Sequence, residues 1–282
     1  MIPEQVRKFL RENGSGEVVS TQGVGGGCIN NSTCLKTSSG VTYFLKTNTN
    51  APIEMFDREA EGLDELRIAG GPRVHQPYLY AADFLLLEDL DPGPRRADYW
   101  ESFGRQMAVL HQKEGPLFGF AHDNFIGSTP QPNHWTQDGY TFFSEQRVLY
   151  QARLAQRRGL LGQAEVKQVE RLITHLPELI PEQPASLIHG DLWTGNAMTD
   201  REGNPAIIDP AAHYGWAEAD LAMTALFGSF PESFYLAYQE VRPLVSGFWK
   251  RSPVYNLYHL LNHLNLFGGG YYEQVTSILS RY

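Results

Sequence analysis

Apolar and polar positions in the first part of the chain predict a small sheet preceded by a helix. Residues 3–12 have helical spacing, and Pro3 suits a first turn, where its missing N–H costs nothing. Strand-like runs follow at residues 17–22, 30–36 and 41–46. The turn Ser38-Ser39-Gly40 lies between the last two runs, so we expect a hairpin there.

A second helix and two further strands are predicted to complete this sheet. Residues 53–69 carry apolar side chains on one helical face, and Gly70-Gly71-Pro72 ends the pattern. Strand-like runs follow at residues 78–80 and 84–87. Residues 89–94 are rich in Asp, Pro and Gly, which indicates a linker.

Beyond the linker the spacing is mostly helical. Candidate helices lie at residues 97–113, 139–158, 163–176, 218–227, 231–241, 253–267 and 270–281, with short strand-like runs at 187–189 and 206–208. The pattern predicts an α+β protein with two lobes. Residues 1–90 would form a sheet-and-helix lobe with a hinge at its end, and residues 91–282 a larger helical lobe.

Composition narrows the classes of partner. A net charge of −9 and an isoelectric point near 5.5 argue against a nucleic-acid partner, which needs a basic face. No apolar run is long enough for a membrane span, and the first residues lack a signal-peptide core. Two cysteines fit a reducing compartment. We therefore expect a cytoplasmic protein, with monomer or dimer left open.

The strongest chemical signal is the run from His189 to Asn196. Asp191 is followed by Asn196 and then, after an apolar run, by Asp209. Phosphoryl transfer from ATP needs a carboxylate that takes the hydroxyl proton, and an amide oxygen and second carboxylate that hold Mg²⁺. Asp, Gly and Asn also favour turns. Because the whole set is hard to produce by chance, we predict Asp191 as the base and Asn196 and Asp209 as metal ligands.

A glycine cluster, Gly25, Gly26 and Gly27, lies between the first two strands. Without side chains, its backbone can approach phosphate oxygens and direct N–H groups at them. A flexible hairpin has the same composition. The run is not the common phosphate loop, because no lysine follows it in the required place.

Lys46 ends the third predicted strand, and Glu59 lies on the helix that follows. A lysine in this place reaches the α- and β-phosphates of ATP, and a helix carboxylate holds it in position. Glu54 and Glu61 compete for that role on the same helix. Glu59 is preferred because it lies four residues before Leu63 on the apolar face.

Several motifs together resemble one family. They are residues 189–196, 207–211, 220–223, 122–133 and 256–263. Over about residues 5–275 the chain is similar to the bacterial-type fructosamine kinase (ketosamine-3-kinase) family, which is related to the aminoglycoside and choline phosphotransferases. The resemblance implies a protein-kinase-like two-lobed fold, in which the main chain of Glu88 to Leu90 binds the adenine edge.

The resemblance also implies an activity. Such an enzyme uses ATP and Mg²⁺ to phosphorylate the 3-hydroxyl group of a ketosamine, a sugar–amine glycation adduct, and loss of the 3-phosphate then releases the repaired amine. Asp209 is followed by Pro210-Ala211, and only ten residues separate it from Asp220. No long activation loop is available to hold a peptide, which favours a small or extended adduct as substrate.

Other residues have a functional and a structural interpretation. Trp193 would stack on the sugar or its amine, or pack between lobes. His263 and Asn265 would line the sugar pocket, whereas His259 and His263 as a metal pair lack a third ligand. The resemblance implies a redox-sensitive cysteine at Cys28, although a small residue in a tight turn is the simpler explanation.

The residues alone leave two alternatives to a ketosamine kinase open. The first is a kinase for another small hydroxyl compound, such as an aminoglycoside or a choline-like alcohol. The second is a catalytically silent nucleotide-binding scaffold. Lys46, Asp191, Asn196 and Asp209 are all present, which counts against the silent scaffold.

Overall fold

The computed structural model of the chain describes residues 2–25 and 30–282. Gly26, Gly27 and Cys28 of the predicted glycine loop lie outside these residues. The elements up to residue 90 are α1 (Glu4–Glu12), β1 (Val18–Val24), β2 (Asn31–Thr37), β3 (Thr42–Thr47), α2 (Met55–Leu66), β4 (Arg73–Val74), β5 (Pro77–Ala81) and β6 (Phe84–Glu88).

The elements after residue 90 are mainly helical. They are α3 (Tyr99–His111), β7 (Glu114–Gly115), β8 (Asn124–Ile126), β9 (Thr129–Gln131), α4 (Gly139–Phe143), a π-helical segment (Ser144–Leu149), α5 (Tyr150–Arg157), α6 (Gln163–Thr174), α7 (Leu176–Leu179), β10 (Ala185–Ile188), a 3₁₀ turn (Thr194–Asn196), β11 (Ala197–Thr199), β12 (Pro205–Ile207), β13 (His213–Gly215), α8 (Ala217–Met223), α9 (Glu232–Val241), α10 (Phe248–Phe267), a second 3₁₀ turn (Gly269–Tyr271) and α11 (Tyr272–Leu279).

The small lobe is built on an antiparallel five-stranded sheet in the order β1-β2-β3-β6-β5. β6 is apolar from Phe84 to Leu87, and its side chains alternate between the two faces of the sheet. Phe84 and Leu86 join a small core under α1, whereas Leu85 and Leu87 join a larger core with α2. The sheet is therefore covered on both faces, which explains why β6 has no polar positions until Glu88.

The larger core runs without interruption from α2 into the helical lobe. Phe56, Ala60 and Leu63 of α2 belong to the same buried cluster as Phe103 of α3 and Leu257 of α10. A short parallel pairing between β4 and β12 also joins the lobes. The predicted two-lobed α+β fold is confirmed, and no helix among the described residues is long and apolar enough to cross a bilayer.

Helix boundaries depart from the sequence expectations where tertiary burial decides them. The helix predicted at residues 253–267 begins earlier, because α10 starts at Phe248, which is buried, and contains Pro253 in its second turn. The helix predicted at 139–158 is continuous but contains the π-helical segment. The short strands β8 and β9 have only three residues each, too few for a periodic signal.

Candidate active site

A tight loop after β10 carries Asp191. Gly190 has φ of +81°, and a Cβ there would lie 2.2 Å from the main-chain oxygen of Ala211, so only glycine fits. The N–H groups of His189 and Gly190 donate to the Asp220 carboxylate of α8 at 2.6 and 2.8 Å. Asp220 therefore fixes the backbone from which the Asp191 side chain projects.

Asp220 is itself held by a buried histidine. His111 Nε2 lies 3.3 Å from Asp220 Oδ2, and His111 Nδ1 lies 2.9 Å from the hydroxyl of Tyr238. Burial alone would raise the pKa of Asp220, but His111, His189 and the N–H of Gly190 lower it below its usual value. Asp220 is thus an ionised anchor, and the buried His111 of α3 holds it in place.

His189 connects this loop to the strand that leads to Asp209. Its Nδ1 accepts from the N–H of Asp191 at 3.2 Å, and its Nε2 donates to the main-chain oxygen of Ile208 at 2.9 Å. Burial lowers the pKa of His189, which keeps the ring neutral in the tautomer that these two bonds require. The positions of Asp191 and Asp209 are therefore coupled through one imidazole ring.

Asn196 lies directly against Asp191. Its amide nitrogen Nδ2 donates to Asp191 at the main-chain oxygen (2.8 Å) and at Oδ2 (3.1 Å). Burial, followed by repulsion from Asp209, raises the pKa of Asp191 to about 7. A carboxylate with such a pKa is suited to accept a proton near neutral pH.

Lys46 of β3 lies between two carboxylates. Its ammonium group forms ion pairs with Glu59 of α2 and with Asp209, and the lysine is only 5% exposed. Burial alone would lower the pKa of Lys46, but Asp209 and Glu59 outweigh burial and raise it. In turn Lys46 holds the pKa of Asp209 below its usual value, although burial opposes this. Glu54, the other acidic candidate near the helix start, pairs instead with Arg58.

The residues at this site suit a hard cation with oxygen ligands. Asn196 uses its nitrogen on Asp191, which leaves Oδ1 available, and Asp209 supplies a carboxylate. Among the described residues, no group of three or more His, Cys, Asp or Glu side chains could hold a metal by itself. Mg²⁺ is commonly held by one or two protein oxygens together with phosphates and water, so the donor set fits Mg²⁺.

The predicted adenine-binding segment follows β6. The N–H of Glu88 donates to Gln76, and its carbonyl oxygen lies 2.7 Å from His75 Nδ1. A carbonyl oxygen has two lone pairs, so Glu88 retains one acceptor position. Leu90 is buried beside it. Gly25 is exposed immediately after the last β1–β2 pair, Val24 with Ser32.

Next to the loop that carries Asp191, the rings of Trp193, Phe227, His263 and Tyr271 contact one another in a row, which we call the aromatic wall. Trp193 meets Phe227 edge to face at 6.3 Å, and Phe227 lies 4.4 Å from the ring of His263, with Tyr271 5.1 Å beyond it. A Cβ on Gly195 would lie 2.3 Å from the Trp193 ring, so this glycine lets the indole lie against the backbone. The structure thus brings Trp193 and His263 together through Phe227, which the sequence reasoning missed.

Asn265 does not join this wall. It is buried on α10, and its amide donates to the main-chain oxygen and Oε1 of Gln151 on α5 at 3.0 and 2.9 Å. These bonds tie two helices together, so Asn265 has a packing role and we leave it out of the site proposed below. His259 is also buried, and its carbonyl oxygen lies 2.9 Å from His263 Nδ1.

Comparison with known proteins places the chain among sugar-amine kinases. The Fructosamine kinase family model matches residues 1–282. A "Probable ketoamine kinase" of Synechocystis sp. is 42% identical, covering 92% of this chain and 88% of the relative. The chloroplastic "Protein-ribulosamine 3-kinase" of Arabidopsis thaliana is 38% identical, covering 100% of this chain and 88% of the relative.

Solved structures agree with the sequence relatives. The crystal structure of a "putative fructosamine-3-kinase" from Thermobifida fusca has a TM-score of 0.89 at 34% identity, covering 99% of this chain and 98% of that chain. Choline kinase LicA from Streptococcus pneumoniae has a TM-score of 0.66 at 16% identity, covering 99% of both chains. The second likeness establishes the fold only.

Proposed function

Because this chain belongs to the fructosamine kinase family, we propose that it transfers the γ-phosphoryl group of ATP to the 3-hydroxyl group of a ketosamine. The observation that carries the proposal is that Asp191, Asn196, Asp209 and Lys46 form one connected cluster of side chains. Asp191 accepts the proton of the substrate hydroxyl as the hydroxyl oxygen bonds to the γ-phosphorus. The bond from that phosphorus to the β–γ bridging oxygen breaks, and ADP leaves.

The small lobe binds the nucleotide in this proposal. Lys46, oriented by Glu59, contacts the α- and β-phosphates, and the main-chain N–H groups of the loop from Gly25 to Gly27 cover them. The main chain of Glu88 to Leu90 meets the adenine edge. Support comes from the burial of Lys46 and from the free acceptor position on the Glu88 carbonyl.

Asn196 and Asp209 would hold Mg²⁺. When bound, this ion neutralises charge on the β- and γ-phosphates. Lys46 already holds Asp209 ionised, and Asn196 is oriented by its two bonds to Asp191, so both side chains are placed for binding before the nucleotide arrives. Such preorganisation lowers the cost of assembling the site.

The aromatic wall binds the sugar-amine substrate. Trp193, Phe227 and His263 offer ring faces beside Asp191, and an aromatic face attracts the secondary ammonium group of a ketosamine. Burial lowers the pKa of His263, so its ring is neutral and does not repel that ammonium. Ribulosamine adducts are the first substrates to try, because the plant relatives are named for them.

A substrate panel tests the proposal. Purified protein is incubated with ATP, Mg²⁺ and either ribulose-lysine, fructose-lysine, an aminoglycoside or choline, and ADP release is measured. We expect ADP release with a ketosamine and a higher KM for it in Trp193→Ala. Turnover on the aminoglycoside or choline alone would keep the kinase chemistry and overturn the substrate, and binding of ATP without turnover on any alcohol would overturn the kinase activity.

A further inference from the structure

One sequence motif, residues 122–133, has no part in the chemistry described so far. In the structure it forms the β8–β9 hairpin and its flanks, and it buries three amide side chains, Asn124, Gln131 and Asn133, which we call the amide brace. Gln131 Nε2 and Asn133 Nδ2 both donate to Asn124 Oδ1, at 2.7 and 2.8 Å. A buried polar network of this kind favours one arrangement, because each lost bond leaves an unsatisfied group.

The amide brace holds the chain that follows Asp209. Asn124 Nδ2 donates to the main-chain oxygen of Ala212 at 2.9 Å. Gln131 Nε2 donates to that of Ala211 at 3.2 Å. Two consecutive carbonyl groups, the second and third residues after Asp209, are therefore fixed by side chains of the hairpin. Asp209 itself has φ of +55°, a conformation that non-glycine residues rarely adopt without support from their surroundings.

The other side of the amide brace is anchored in the helical lobe. Arg147, from the π-helical segment, donates to Asn133 Oδ1 at 2.6 Å and to the main-chain oxygen of Pro132 at 2.5 Å. The hydroxyl of Tyr258 on α10 donates to Gln131 Oε1 at 2.5 Å. Arg147 is buried without a carboxylate partner among the described residues, and its guanidinium is stabilised instead by these bonds, by one to the main-chain oxygen of Gln146 and by the ring face of Phe142.

The same hairpin also contacts α2, the helix that carries Glu59. His122 Nδ1 lies 2.8 Å from Glu61 Oε1. The next residue, Gly62, packs so closely on the chain after Asp209 that a Cβ would lie 3.3 Å from the Cβ of Ala212. The hydroxyl of Tyr214 donates to Glu65 at 2.9 Å. Glu61, Gly62 and Glu65 of α2 are therefore all held against the helical lobe.

We propose that the amide brace, with Arg147 and His122, acts as a positioning device that holds Asp209 and α2 in the arrangement required for ATP turnover without any covalent activation. The inference rests on the proposed function, because it assigns Asp209 to the metal. In protein kinases this arrangement is controlled by activation-loop phosphorylation and by movement of the corresponding helix. Here the hairpin takes over that role, and the enzyme is active as synthesised.

The test compares two matched variants. Asn124→Ala removes a buried amide that donates to the main-chain oxygen of Ala212 at 2.9 Å. The control, Asn256→Ala, also removes a buried amide that donates at 2.9 Å, in this case to the main-chain oxygen of Ala222 in α8. Hydrogen exchange is measured on the ligand-free enzyme, and the Mg²⁺ concentration for half-maximal ATP turnover is measured separately. We expect Asn124→Ala to raise amide exchange about tenfold in residues 55–66 and 209–214, and to raise the Mg²⁺ midpoint about fivefold.

Two milder variants keep the inference testable if Asn124→Ala does not fold. Tyr258→Phe removes only the hydroxyl that bonds Gln131, and we expect faster exchange in residues 209–214. His122→Ala changes an exposed side chain, and we expect faster exchange in residues 55–66 alone. Unchanged exchange in these segments, or an equal increase in Asn256→Ala, would overturn the proposal.

The exchange measurement separates this proposal from the proposed function. It needs neither substrate nor metal, so faster exchange in Asn124→Ala supports the amide brace even if no ketosamine is phosphorylated. Conversely, turnover of ketosamines by the wild-type enzyme, together with wild-type exchange and a wild-type Mg²⁺ midpoint in Asn124→Ala, would support the proposed function and overturn the proposed role of the amide brace. Mass spectrometry of the active wild-type protein should show no phosphorylated residue, and activity confined to a phosphorylated fraction would also overturn the proposal.

Discussion

The two faces of the five-stranded sheet differ in what covers them. The face under α1 belongs to a small core of its own, with Val6 and Leu10 against Leu35 and Leu45. The face under α2 opens into the large core, which continues through α3 and α10. The helix that carries Glu59 is therefore packed as part of the helical lobe, although it lies within the first ninety residues of the chain.

This difference explains how groups from both lobes meet in a fixed geometry. Lys46 comes from the sheet, Glu59 from α2, and Asp209 from the loop after β12. Because α2 and the Asp209 loop share one core and one hydrogen-bonded hairpin, two of the three charges are anchored to the same part of the molecule. Only Lys46 depends on the sheet, and it is held by the other two.

The largest expected effect concerns the proposed base, Asp191, which lies in the large lobe. Asp191→Asn should lower kcat by about 10³-fold, because a general base contributes about 10²- to 10⁴-fold. Its melting temperature should stay near that of the wild type. The matched control is Asp200→Asn in the β11–β12 turn, where the carboxylate bonds Asn204. A loss of kcat as large in Asp200→Asn would show that the loop, and not the Asp191 carboxylate, is responsible.

Neighbouring leucines of β6 test the two faces directly. Leu85 and Leu86 are both fully buried, and each change to alanine should cost about 3 kcal/mol of unfolding free energy. Leu85 faces α2, so Leu85→Ala should also raise the KM for ATP at temperatures where the protein is folded. Leu86 faces α1, and Leu86→Ala should leave that KM unchanged. Equal KM values in the two variants would contradict the assignment of α2 to the large core.

Glu59 tests whether orientation of Lys46 matters for turnover. Glu59→Gln removes the charge that pairs with Lys46 on α2, and kcat/KM for ATP should fall about 10²-fold, as small misplacements of a positioning group do. Glu54→Gln changes an exposed acid at the start of the same helix and should stay within about twofold of the wild type. Similar kcat/KM values for the two variants would mean that Asp209 alone positions the lysine.

The smallest expected effect is a loss of stability in acid. Burial lowers the pKa values of His111, His189, His213 and His259, all in the large lobe, and that of His259 to about 3. Below pH about 6.5 the unfolded chain takes up these protons and the folded chain does not. Stability is therefore complete above that pH and falls below it, and the share of His259, whose folded pKa is about 3, is about 1.4 kcal/mol per pH unit.

Chemical denaturation between pH 7 and pH 5 measures this dependence. His259→Asn removes one of these histidines, so the unfolding free energy should fall less steeply as the pH decreases. This difference should hold down to the pH at which other groups titrate. The control is His134→Gln, at an exposed position, which should leave the pH dependence as in the wild type. An unchanged slope in His259→Asn would contradict a neutral, buried imidazole at this position.

How much of this could be predicted from the sequence depends on the range of the contacts. The strands of the sheet, α2 and the run from His189 to Asn196 all have local patterns, so their types and order were predictable. The hairpin of β8 and β9 was not, because its three-residue strands are stabilised by buried amides that bond distant backbone.

The same limit applies to the site. Glu59 could be preferred over Glu54 and Glu61 from helical spacing, since spacing determines which side of a helix faces the core. Phe227 could not be found this way, because it lies in a loop and meets Trp193 only in three dimensions. Asn265 is predicted in the sugar pocket together with His263, yet positions two residues apart on a helix point in different directions, and Asn265 packs on Gln151.

The most direct test of the central claim is the position of the phosphate on the product. Wild-type enzyme and Asp191→Asn are incubated with ATP, Mg²⁺ and ribulose-lysine, and the product is followed by ³¹P–¹H correlation NMR. The account predicts a phosphate coupled to the proton on the third sugar carbon, formed by the wild type and not by Asp191→Asn. Phosphate on any other hydroxyl, or equal product from both enzymes, would contradict it.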